Sequence, residues 1–215
     1  MKQLQFWFDP ISPYAHLAFE QLPSALEGLS CSVEYRPVLF AGLLAHWGQK
    51  GPAEIEPKRA WTFRQVAWHA SRLGIAMQTP AQHPFNPLAL LRLLVACAGP
   101  GGTPNRFACE TVLRHVWWGG ADANDADRLA ALTLSLAPAR SPQADEVKQA
   151  LKDATALAVA RGVFGVPMIE VDGRLFWGFD ALPMVAAYLR GDPWFEGGDW
   201  ERAGAPRPGV IRHIT

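Results

Sequence analysis

The first apolar run spans Leu4 to Asp9, is rich in aromatics, and ends at Asp9-Pro10, which reads as a short buried strand. Ser12-Pro13 follows, with a serine suited to the N-cap and a proline suited to the first helical position, and predicts a helix running to about Glu27 and stopped by Gly28. Alternation resumes over Ser32 to Val38 around Val33 and Tyr35, giving a second strand. A full helical crossover between the two strands implies a parallel pair with a right-handed connection.

From Phe40 to Ala139 the apolar spacing is helical throughout. Phe63, Val66, Ala67, Ala70 and Leu73 form one stripe ahead of Gly74, and Phe107, Ala108, Thr111, Val112 and Val116 form another. Ser141-Pro142 predicts the cap of a further helix, with Val147, Leu151 and Ala158 on its inner face and Gly162 beyond its end. Met168 to Val171 and Arg174 to Trp177 flank Asp172-Gly173, a strong hairpin signal. Asp180 then reads as the cap of a last helix through Leu189-Arg190, stopped by Gly191. These elements predict an α/β fold with a mixed sheet. A discontinuous sheet domain (residues 1–38 and 140–191) is interrupted by an all-helical insertion (39–139) and followed by a Gly- and Pro-rich surface extension (192–215).

Composition narrows the function classes. Hydrophobic residues make up 49% of 215 and charged residues 19%, enough to build a packed core. Lys+Arg and Asp+Glu both number 20, so the basic excess of a nucleic-acid binder is missing. Leu88 to Ala98 is too short to span a bilayer, and Asp9 and Pro10 come too early for a signal peptide, which predicts no membrane association and a cytoplasmic protein. Cys31, Cys97 and Cys109 include no C-x-x-C pair and are expected to be buried, inert thiols. The histidines show no metal-binding spacing; His115 reads as a satisfied core residue, and no metal is expected.

Three places could carry chemistry. Ser12 opens a helix, where free N–H groups and the helix dipole favour a thiolate brought by a ligand; equally, it could only cap that helix. Val166-Pro167 enters a strand; a cis bond there would leave the Val166 N–H and C=O free for an extended peptide, whereas a trans proline would simply open the strand. In Gly178-Phe179-Asp180, the carboxylate could receive a ligand ammonium group or serve as an N-cap.

The strings FDPISPYAHLA, PKRAWTFRQVAWHASRLGI and GVFGVPMIEVDGRLFWGFDAL, in this order and spacing, resemble the 2-hydroxychromene-2-carboxylate isomerases, relatives of kappa-class glutathione transferases in the DsbA-like branch of the thioredoxin superfamily. The resemblance implies a thioredoxin-like sheet, glutathione as cofactor and an aromatic small-molecule substrate, and extends to a homodimer. It places Ser12, at the head of Ser12-Pro13-Tyr14-Ala15, where relatives carry the first cysteine of C-x-x-C. It implies that Ser12 stabilises the glutathione thiolate, that Val166 before a cis Pro167 pairs with the cysteinyl backbone, and that Phe179, Asp180 and Leu182 hold the γ-glutamyl end. Pro13 and Tyr14, and the segment His83-Pro84-Phe85-Asn86-Pro87 with Phe85 and Asn86 as its candidates, are further expected walls of the substrate site; Lys58 and Trp61 could also face the cleft, or be a snorkelling lysine and a core tryptophan. Where family members carry G-N-D-R-L this chain has Gly178-Phe179-Asp180-Ala181-Leu182, and a family lysine and asparagine fall near Leu44 and Glu54. A kappa-like transferase or peroxidase and a non-catalytic binding or chaperone module are the rival readings.

Overall fold

The computed structural model describes residues 1–207 and residue 209. Its sheet has the order β2-β1-β3-β4, with β1 (Lys2–Phe8) central beside β2 (Cys31–Pro37), and β3 (Met168–Val171) paired with β4 (Arg174–Trp177). β1 runs parallel to β2, with Phe6 opposite Tyr35, and antiparallel to β3, with Phe6 opposite Ile169. The expected parallel pair and antiparallel edge are both present. Strand alternation divides β1 between two cores. Leu4, Phe6 and Phe8 pack with Phe19 and Leu22 of α1 (Pro13–Ala25). Trp7 turns to the other face and packs with Val38, Leu43, Ala158 and Met168.

Ten helices surround this sheet among the described residues. α2 (Phe40–Trp47) and α7 (Asp145–Ala160) cover the Trp7 face. α1, α5 (Arg106–Trp117) and α8 (Leu182–Leu189) cover the other, while α3 (Glu56–Leu73), α4 (Leu88–Cys97) and α6 (Ala126–Leu136) complete the helical block. α3 ends at Gly74, whose φ of 65° is the left-handed geometry glycine supplies without strain. No helix among the described residues is long and apolar enough to cross a membrane.

Several local expectations are corrected. α1 ends at Ala25, two residues before the expected end near Glu27, with Pro23 in its last turn. Ser141 does not cap α7: its C=O accepts from Ala144 N–H in a preceding turn, and Ala144 is the N-cap. Asp180 is not an N-cap either; it lies inside a 3₁₀ turn (Phe179–Ala181) that leads into α8. In the α5 stripe Ala108, Val112 and Val116 are buried as expected, but Phe107 is 64% exposed and the buried face includes Cys109, Leu113 and Trp117 instead. Trp61 is exposed rather than core. Cys109 is buried, but Cys31 and Cys97 are only half-buried; all three are free.

The chain after Gly191 is more than a surface strap. Two short helices, α9 (Pro193–Glu196) and α10 (Asp199–Gly204), fold back so that Phe195 is buried against Phe176, Tyr188 and Trp200. Residues 208 and 210–215 of the expected extension lie outside the described residues.

Candidate active site

β1 ends where Pro10 removes a ladder donor and the chain turns into α1. Asp9, fully buried, organises the turn: Oδ1 accepts from Ile11 N–H at 3.0 Å and Oδ2 from Phe40 N–H at 2.9 Å. Burial pushes its carboxyl up to about 7, against the pull of those two donors. Ser12 caps α1, its Oγ accepting from Ala15 N–H at 3.2 Å. The same hydroxyl donates to the Val166 C=O at 3.3 Å, joining positions 154 apart in sequence.

Val166-Pro167 is cis. Pro167 C=O accepts from Gly178 N–H at 3.0 Å, which ties the loop to the end of β4. Among the described residues, neither Val166 N–H nor Tyr14 N–H finds an acceptor. A free N–H in the first turn of α1, beside the Ser12 hydroxyl, suits an anion, and the free Val166 N–H belongs to the adjoining proline loop. Gly165 permits a close approach: a Cβ there would lie 2.8 Å from Trp177 Nε1. Trp177 is 58% exposed and packs edge-on against Phe164, so the loop is walled by aromatics.

The remaining predicted residues divide. Tyr14 donates to Gln65 Oε1 of α3 at 2.6 Å, and its phenol is raised by desolvation and by the nearby Asp180 carboxylate. Asp180 is exposed, its Oδ1 folded over Gly178, whose φ of 96° and lack of a side chain make that approach feasible. Asp180 and Tyr14 thus lie near each other at α1's opening. Phe179 turns inward, edge-on to His69 at 5.1 Å and packed with Leu17, Val66 and Ala70. Leu182 and Phe85 are core side chains, and Asn86 Oδ1 is occupied by Leu88 N–H. Pro13, the first residue of α1, is buried, and Lys58 is exposed on the first turn of α3. Glu54, near the family's asparagine position, accepts from Gly51 N–H at 2.6 Å.

Asp9, Gly165, Trp177, and the contacts of Trp117 Nε1 with the Pro10 C=O and of His83 Nε2 with the Ile11 C=O were not read from sequence as parts of this site. For Asp9 a local signal exists, since an aspartate two residues before a free N–H at a strand end is the pattern of an Asx turn. The other contacts are long-range and leave no local trace. Two concavities lie away from this site, one of them about 660 Å³ and lined by α2, α4 and α7. Among the described residues, no group of three His, Cys, Asp or Glu side chains could hold a metal.

Residues 3–190 match the family model described as DSBA-like thioredoxin domain. The chain belongs to this DSBA-like family. Among curated members, it is similar to a 2-hydroxychromene-2-carboxylate isomerase of Sphingobium xenophagum, 28% identical over 196 residues that cover 87% of this chain and 98% of the relative. It is also similar to glutathione S-transferase kappa 2 of Caenorhabditis elegans, 27% identical over 87% of this chain and 92% of the relative. Among solved structures, a 2-hydroxychromene-2-carboxylate isomerase superposes with a TM-score of 0.77 at 20% identity, covering 92% of this chain and 98% of that one. That likeness, at this identity, concerns the DSBA-like fold.

Proposed function

We propose that this protein is a glutathione-dependent isomerase of 2-hydroxychromene-2-carboxylate or a related aromatic unsaturated keto acid. One observation carries the reading: the Ser12 hydroxyl sits 3.3 Å from the Val166 carbonyl, beside cis Pro167, with the Val166 and Tyr14 N–H groups unengaged among the described residues. A peptide thiol lying along the proline loop could pair with the Val166 N–H while its sulfur meets the α1 opening. Isomerases and kappa transferases among the relatives support glutathione as that peptide. A reducing cytoplasm would keep it as thiol, and the kappa resemblance supports a homodimer, which sedimentation tests.

Glutathione, when bound, would supply a thiolate that adds reversibly to the conjugated carbon of the substrate, freeing a bond to rotate before the sulfur leaves. The chain's own part is electrostatic. The Ser12 proton would turn from the Val166 carbonyl to the sulfur, and the α1 opening would stabilise the anion. Asp180, exposed near Tyr14, is placed to receive an ammonium group. Glu54, by contrast, is an acid held in a turn and a poor partner for the glycyl carboxylate.

Glutathione titration followed by thiolate absorbance tests the reading. Wild type should bind with a depressed thiol pKa, and Ser12→Ala should weaken the depression; an unchanged thiol pKa on binding defeats it. The kappa relatives favour a second reading, a glutathione transferase. Conjugation of a chloronitroarene without turnover of the chromene would select it. Absence of glutathione binding at millimolar concentration would favour a binding module.

A further inference from the structure

The turn that delivers Ser12 is held by its peptide planes. Ile11 C=O and Ser12 N–H are the two ends of one planar unit. The N–H donates to Asp9 C=O at 3.0 Å, and the C=O lies 2.9 Å from His83 Nε2. The preceding unit is treated alike: Ile11 N–H donates to Asp9 Oδ1 at 3.0 Å, and Pro10 C=O accepts from Trp117 Nε1 at 2.9 Å. Two consecutive peptides are therefore gripped at both ends. Both outer grips come from the helical block, His83 from the loop before α4 and Trp117 from the last turn of α5.

A carbonyl can only accept, so His83 Nε2 must carry the hydrogen. Its Nδ1 is then a bare acceptor, buried and without a partner among the described residues. The ring is set edge-on to Phe63 at 5.0 Å and lies 5.8 Å from Trp117. Protonating Nδ1 would bury an N–H with no acceptor, beside the Arg59 charge. Desolvation foremost, and Arg59 after it, hold the His83 pKa below its ordinary value, against the pull of the Ile11 carbonyl.

We propose that His83, as the neutral Nε2–H tautomer, is a positioning residue that fixes the Ser12 hydroxyl by anchoring the peptide in front of it. The helical block would thus act on the sulfur chemistry through the Ile11 carbonyl. This rests on the glutathione reading above. With its donor removed, the Ile11–Ser12 peptide can rock, and the Ser12 Oγ loses its fixed place between Ala15 N–H and Val166 C=O.

The test compares His83→Phe, which keeps a ring but no donor, with His83→Gln, which restores an N–H. His83→Phe should raise the bound thiol pKa by about one unit and cut turnover on the order of tenfold, as small misplacements do. Its affinity for glutathione as the protonated thiol, measured below the bound thiol pKa, should change less than about threefold, because His83 touches no part of the peptide cradle, and His83→Gln should recover most of both losses. A lower melting temperature with an unchanged thiol pKa would overturn the proposal. Should His83→Phe not fold, the imidazole nitrogen spectrum of wild type decides: an Nδ1–H tautomer or a cation at neutral pH overturns it. A wild-type protein that leaves the thiol pKa unmoved fails earlier, at the functional reading itself.

Discussion

The Ser12 hydroxyl accepts from Ala15 N–H and donates to Val166 C=O, so substitutions there touch helix capping and chemistry at once. The two can be separated. Ser12→Ala should cost about 1 kcal/mol of stability, whereas Ser12→Gly should cost roughly a few tenths, because glycine is a tolerable N-cap. Both remove the same hydroxyl, so both should weaken the thiol pKa depression equally. Denaturant unfolding and thiolate titration of the pair check this, and thiol pKa values that track stability would defeat it. Asp9 carries a pH dependence of its own. Its folded-state carboxyl is raised from 3.8 to about 7, so the folded protein holds this proton more tightly than the unfolded chain. Its contribution to stability is therefore complete below the unfolded value and lost as pH rises towards about 7. Asp9→Asn should flatten that fall relative to wild type. It should also lower stability overall, since the amide keeps one accepting oxygen and turns an NH2 donor towards the other of the Ile11 and Phe40 N–H groups. Unfolding midpoints measured across this range give the difference.

At the scale of elements, the proline loop depends on a missing side chain. A Cβ on Gly165 would meet Trp177 Nε1 at 2.8 Å, and Trp177 is the more mobile partner because most of its ring is in solvent. Gly165→Ala should therefore displace the indole and disturb the Val166 donor, weakening glutathione binding by roughly tenfold with a small loss of stability. In Gly165→Ala/Trp177→Ala the clash is gone, so the effects should be non-additive, by about 1 kcal/mol. Additive effects on binding would show that the two residues do not act on one loop. Local signals were read well where the chemistry is local. The β3–β4 hairpin lies at its expected residues because Asp172 and Gly173 adopt φ of 49° and 76°, the turn their identities favour. Ser12-Pro13 and Ser141-Pro142 look alike in sequence, yet only the first caps a helix. At Ser141 the chain makes one more turn, and Asp145 and Glu146 supply the acidic first turn of α7 instead. In α5 the expected Ala108, Val112 and Val116 are buried, but the inner face extends to Cys109, Leu113 and Trp117 and leaves Phe107 outside. Phe107 and Trp117 are both apolar, and only tertiary packing decides which one faces inward.

Across the whole molecule, what the sequence could not display is the meeting of distant segments. His83 reaches Ile11 across 72 positions and Trp117 reaches Pro10 across 107, and no periodicity encodes either contact. The chain after Gly191 shows the same effect at the far side of the sheet. Read as a Gly- and Pro-rich strap, it instead inserts Phe195 among Phe176, Tyr188 and Trp200, and Arg174 donates to the Phe195 carbonyl at 3.1 Å. Phe176 belongs to β4, the sheet's last strand, so this aromatic cluster extends the core over that strand's inner face, which would otherwise expose apolar surface. Phe195→Ala should cost about 3 kcal/mol, at the lower end for a buried phenylalanine because short α9 and α10 can partly close over the gap. None of these residues contacts the α1 opening, so glutathione affinity and thiol pKa should stay within about twofold of wild type in the folded variant. Measured together, unfolding and thiolate titration place the C-terminal helices with stability rather than chemistry. A shifted thiol pKa in Phe195→Ala would mean that β4 transmits its packing along Trp177 to the proline loop, and the separation drawn here between the two ends of the sheet would not hold.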